Sequence, residues 1–196
     1  MRGYLLSAIL LALLSYTSDS RGDANDGDLF GYSLGTRYTG QPHEPTNLGQ
    51  LVLITAQNPV KPSAIEQVFV LVTPISRSIA KIAGETWYES GEDALVAYEQ
   101  FRLILRKKYS HWESDETTQQ NVHASRLWSG DYELSVRVSG PHRDNPLMPP
   151  DKSFQFLIAL IYRPSTSAAM KFEEMANAEI KQSAAGEFSE DETRGL

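Results

Sequence analysis

Cysteine is absent from all 196 residues. That excludes disulfides, thiolate metal sites, a cysteine nucleophile and a lipid anchor on cysteine, so the hydrophobic core must hold the fold alone. No apolar run reaches the roughly 20 residues that a helix needs to cross a bilayer. Histidine is scarce: His43, His111, His123 and His142 offer no pair at the i, i+4 spacing of a helical zinc site, and "HEP" at 43–45 lacks the second histidine of a zincin. Around Ser90 the chain reads "YESGE", without the first glycine of a nucleophile elbow. "GTRYTG" at 35–40 ends like a phosphate loop but runs into Gln41-Pro42, where a lysine and a hydroxyl residue belong. No segment repeats with the 20–50 residue period of solenoids and propellers. Neither a cofactor nor a metal is expected, and the sequence offers no constellation that supports an enzyme.

What is present begins with "YLLSAILLALL" at 4–14, preceded by Arg2 and followed by polar and small residues. This order of positive, apolar and small-residue segments is that of a secretory signal. A cut after Ser20 has Ser18 and Ser20 at its small-residue places; a cut after Ala24 has Gly22 and Ala24. Export is therefore expected, to the periplasm first and the extracellular space as the alternative. The next residues, "RGDANDGD", hold an Arg-Gly-Asp triplet and a hint of a cation loop. Counted as an EF-hand from Asp23, the loop has Gly27 at position 5, Asp28 where glycine belongs and Leu34 at position 12, so it fails.

The formal net charge is −7, but residues 21–28 contribute −2 and residues 187–196 contribute −3. The body between them is close to neutral, and nucleic acid is not an expected partner.

Hydrophobic patterning predicts an edge strand over 29–38 and strands over 51–57, 66–73 and 77–88. A helix opens at Ser90, where Asp93 completes a capping-box-like start. Ala94, Tyr98, Phe101, Leu105 and Tyr109 make its apolar stripe, and Arg106, Lys107 and Lys108 close it. "SRLW" and "YELSVRV" predict two strands around Ser129-Gly130-Asp131, and 152–162 is apolar on both faces, as a central strand is. Residues 139–151 hold four prolines and read as a long loop. Ser167 is the expected cap of a last helix with Ala168, Phe172, Met175, Ala176 and Ile180 on one face. "ESDE" at 113–116 and the threonines after it read as a wet loop.

The predicted class is α+β in two layers, a mostly antiparallel sheet of about six or seven strands packed against one or two helices. The domain plan is a signal peptide (1–20), a flexible acidic linker (21–28), one α+β domain (29–186) and a disordered acidic tail (187–196). The binding candidate is "RKKYSHW": Arg106, Lys107, Lys108, His111 and Trp112 combine charge with stacking for an anionic partner, although the same cations also complement the helix dipole. Trp87, Trp112 and Trp128 are expected either to cap the core or to face a ligand. The functional expectation is an exported, soluble, non-catalytic protein that binds a protein partner in the envelope or outside the cell, as an inhibitor, immunity-type or accessory factor. A periplasmic small-molecule or glycan binder is the alternative. A small hydrolase would require His123 or His142 beside an acidic residue.

Overall fold

A computed structural model describes residues 26–40, 46–48, 51–57, 59–119, 121–142 and 149–194, with backbone alone for 46–48 and 185–194. The export segment 1–20, the Arg-Gly-Asp triplet, His43 and part of the 139–151 loop lie outside the described residues.

The chain forms a small hairpin, β1 (Asp28–Leu29) with β2 (Tyr32–Ser33), and then β3 (Thr46–Leu48), β4 (Leu51–Thr55), β5 (Gln67–Val72) and β6 (Ile79–Tyr88). Helix α1 (Gly91–Lys108) leads to β7 (Glu113–Gln119), β8 (Val122–Ser129), β9 (Tyr132–Ser139) and β10 (Phe154–Tyr162), and α2 (Ser167–Arg194) closes the chain. The eight strands from β3 to β10 form one antiparallel sheet in the order β3-β4-β5-β6-β10-β9-β8-β7. The fold is α+β, as the patterning predicts. Each half is a four-stranded meander followed by a helix, and the halves join where β6 runs beside β10, with Ala83 opposite Ala159.

Helix α1 forms for the reasons its sequence states. Ser90 is extended (φ −111°, ψ 144°) and its side chain accepts the Asp93 amide at 3.1 Å. Its stripe of Ala94, Tyr98, Phe101 and Leu105 is buried against β6, β8, β9 and β10. The Phe101 and Phe156 rings meet at 4.9 Å. The remainder of this sheet face lies under the N-terminal segment: a Cβ on Gly84 would stand 2.7 Å from Phe30 and 2.9 Å from Ile65, so glycine is needed there for both side chains to reach the sheet.

Several elements depart from the sequence expectation. The stretch 29–38, expected as an edge strand, instead holds the separate β1–β2 hairpin, which turns at Phe30 and Gly31, both at positive φ. β7 is an edge strand, where a wet loop is expected. Its side chains carry almost no apolar signal, and its register is instead fixed by polar pairs: Asp115 to Arg126 at 3.1 Å and Glu113 to the Trp128 indole at 3.0 Å, both directly across from β8. From the other side Glu116 meets Arg102 at 2.6 Å and Arg106 at 3.1 Å on α1. The expected flexible linker 21–28 is ordered in its last residues. The Gly27 carbonyl accepts the Leu34 amide at 3.0 Å, and Asp28 pairs with Ser33. The cap of α2 is Thr166 rather than Ser167, because the Thr166 hydroxyl accepts the Ala169 amide at 3.2 Å. The same helix continues through Arg194, across most of the acidic segment 187–196 expected to be disordered. Glutamate is a good helix former, and Glu187, Glu190 and Glu192 supply three of the residues of that stretch.

Candidate functional site

In an antiparallel sheet alternate residues face opposite sides. The side that carries Val70, Ile82, Phe156, Ile158 and Val136 is the one covered by α1 and the N-terminal segment, and these residues are buried. The opposite side has no helix across its centre. There Leu53, Phe69, Leu71 and Leu157 remain half-buried, and with Ala83 and Trp87 they line an open cleft of about 380 Å³. Ala83 and Ala159, paired across β6 and β10, are both buried and keep its floor low.

The polar residues that line the cleft are Thr55, Gln67, Lys81, Glu85 and Gln155. Lys81 lies opposite Leu71 on one side and Ile161 on the other, half-buried, with no hydrogen-bond or carboxylate partner among the described residues. Burial, and then the nearby Arg137 guanidinium, push its ammonium below the ordinary lysine range. Among the described residues Arg137 itself reaches only the Ser139 hydroxyl, at 3.5 Å. Glu85 is already engaged, accepting from the Gln155 amide at 2.8 Å. At the far end, the Trp87 ring meets His142 edge-on at 5.9 Å, and the His142 Nε2 lies 3.1 Å from the Ser139 hydroxyl.

A larger cleft of about 540 Å³ separates α2 from the end of the sheet, between Leu51, Ala80 and Ile161 on one side and Phe172, Ala176 and Ile180 on the other. It is the gap left by a loosely seated helix whose Met175 stays 37% exposed. Glu173 and Asn177 line it, and among the described residues no cation does.

The residues singled out from sequence are split by the fold. Trp112 is only 6% exposed, packed on Tyr109 at 4.7 Å, and its indole nitrogen has no partner among the described residues. Its ring belongs to the core and presents no stacking surface. Arg106 is tied to Glu116 and Ser114, Lys108 lies 5.2 Å from the Tyr109 ring, and Lys107 and His111 are exposed. The cluster therefore separates into a buried aromatic pair and a fringe of helix-end cations. Trp87 is buried at the cleft, and Trp128 is half-buried under the Arg163 guanidinium at 5.3 Å. His123 packs against Tyr98 at 6.0 Å. Neither His123 nor His142 has an acidic hydrogen-bond partner among the described residues, where no group of three metal-binding side chains gathers either.

The chain matches no family model, no curated protein and no solved structure.

Sequence reasoning missed the cleft, although one signal pointed to it. Residues 66–73 and 154–162 are apolar on both faces, which demands cover on both. Helix α1 and the N-terminal segment cover one, and α2 meets the other at its end, at Leu51 and Ile161.

Proposed function

We propose that this is a non-catalytic binding protein that holds a small amphiphilic molecule in the cleft of its open sheet face. The observation that carries the reading is the cleft itself: a mostly apolar trough of about 380 Å³ with polar groups spaced along it, on a sheet whose other face is covered by α1 and the N-terminal segment. Small-molecule sites have this size and this mostly apolar lining.

The geometry favours the small-molecule alternative over the protein partner that sequence alone puts first. A polypeptide laid along the middle of a sheet finds the backbone donors and acceptors below it already used in the ladder, so its own amides would be desolvated without partners. The edge strand β7 is lined with Glu113, Asp115 and Glu116, a composition that discourages strand addition. Export, periplasmic in the first instance, completes the proposal and rests on the residue pattern of 1–20.

Nile red, a neutral apolar dye, tests the site. One dye should bind per folded molecule with enhanced fluorescence, and Phe69→Glu should abolish the signal while Leu103→Glu, on the outer side of α1, leaves it intact. No binding by the folded protein, or binding indifferent to Phe69→Glu, would contradict the reading.

A further inference from the structure

We propose that the ligand of the sheet cleft is a single-chain amphiphile with an acidic head, its carboxylate paired with Lys81 and its alkyl chain lying along the trough between Phe69 and Leu157 toward Trp87. This deepens the proposed function and rests on it.

A half-buried ammonium on an apolar wall is costly unless something of opposite charge meets it. Lys81 has no such partner among the described residues, and the one charged group that acts on it is another cation, Arg137. Two cations that repel each other across one open surface create a field that an anion relieves. The cleft's own carboxylate cannot do so: Glu85 is bound to Gln155 and sits four residues along the strand from Lys81, roughly 13 Å at about 3.3 Å per residue. Glu133, two strands away opposite Ile161, makes no ion pair with Lys81 either.

The same strand geometry sets the ligand's length. Lys81 and Trp87 are on one face six residues apart, a span on the order of 20 Å. Leu71, Phe69 and Leu157 border the trough between them, over the low floor made by Ala83. That path is an upper limit: an extended alkyl chain of about ten carbons, roughly 12 Å long, takes up a little over half of it within the cleft's volume, and it brings no backbone amides to be desolvated. A head with one acidic group matches Lys81 as the direct partner, with Arg137 adding to the field.

Calorimetric titration of the protein with decanoate, 1-decanol and decylammonium, each below its aggregation concentration, tests this. Decanoate should bind roughly tenfold or more tightly than decanol, the scale of one charge-assisted hydrogen bond, and decylammonium most weakly. In Lys81→Gln the decanoate advantage should shrink to about threefold or less while decanol binding stays as it was. Equal binding of decanoate and decanol to the unaltered protein would overturn the acidic-head inference and leave the cleft reading standing. So would a decanoate preference that survives Lys81→Gln. If none of the three binds, both the inference and the reading on which it rests fall.

Discussion

The Glu179 carboxylate accepts the backbone amides of Ile75 and Ser76 at 3.0 and 2.9 Å, joining the last helix to the β5–β6 turn across more than a hundred residues. Among the described residues few other polar contacts seat α2, so this clamp is a main determinant of how firmly the helix closes the end of the sheet. Burial pushes the carboxyl upward, but hydrogen bonding from Ser76, Thr73 and Ile75 outweighs it and holds the group below the ordinary value of 4.5.

A depressed carboxyl contributes stability that is complete above its unfolded value and is lost as pH falls through its folded one. Hydrogen exchange of the α2 amides should therefore accelerate selectively below about pH 4.5, ahead of global unfolding. Glu179→Gln should give that faster exchange already at neutral pH and remove the acid dependence. Because the group is largely solvated, the global cost should stay under about 1 kcal/mol.

Trp112→Ala should behave as a core truncation. The ring is buried against Tyr109, and emptying such a site costs on the order of 3–5 kcal/mol. Denaturant unfolding should show the loss, whereas Lys107→Ala, on the exposed side of the same helix end, should change stability by less than about 0.5 kcal/mol.

Gly84→Ala should destabilise by about 1–3 kcal/mol, because the new methyl would collide with Phe30 and Ile65. If Phe30 is the obstacle, Phe30→Ala combined with Gly84→Ala should cost less than the sum of the two single changes, a coupling that a double-mutant cycle in urea would read.

The Lys81 ammonium lies below the ordinary lysine value of 10.5 before an anion arrives. Arg137, Glu133 and Glu85 are charged groups on the same sheet face, and Arg137 is the one that lowers it after burial. An arriving carboxylate favours the protonated amine, so decanoate binding should weaken as pH rises, beginning below 10.5, where a free lysine would still be charged. Titrations from neutral to alkaline pH should show the decline in the unaltered protein and a flat profile in Lys81→Gln.

Much of this fold was legible in the residue pattern, and the exceptions share a cause. Helix α1 declares itself through Ser90, its five-residue stripe and its closing cations, and β10 through an apolar run on both faces. β7 was illegible because Glu113, Asp115 and Glu116 hold it by ion pairs and an indole hydrogen bond to partners on β8 and α1, which no local period records. The cleft was illegible for a related reason. Phe69, Lys81 and Leu157 lie on three strands, and β6 joins β10 only after about seventy residues of intervening chain. Local spacing drew attention to "RKKYSHW", where charge and aromatics are adjacent in sequence, yet the fold turns Trp112 inward and leaves the cations outside.

Amide NMR of the isotopically labelled protein, titrated with decanoate, tests the central claim most directly. The account predicts shifts concentrated on β5, β6 and β10 around Phe69, Lys81, Ala83 and Leu157, with little change along the outer side of α1. Shifts centred on α2 and Phe172, or on the helix end at Arg106–Lys108, or no shifts at all, would contradict it.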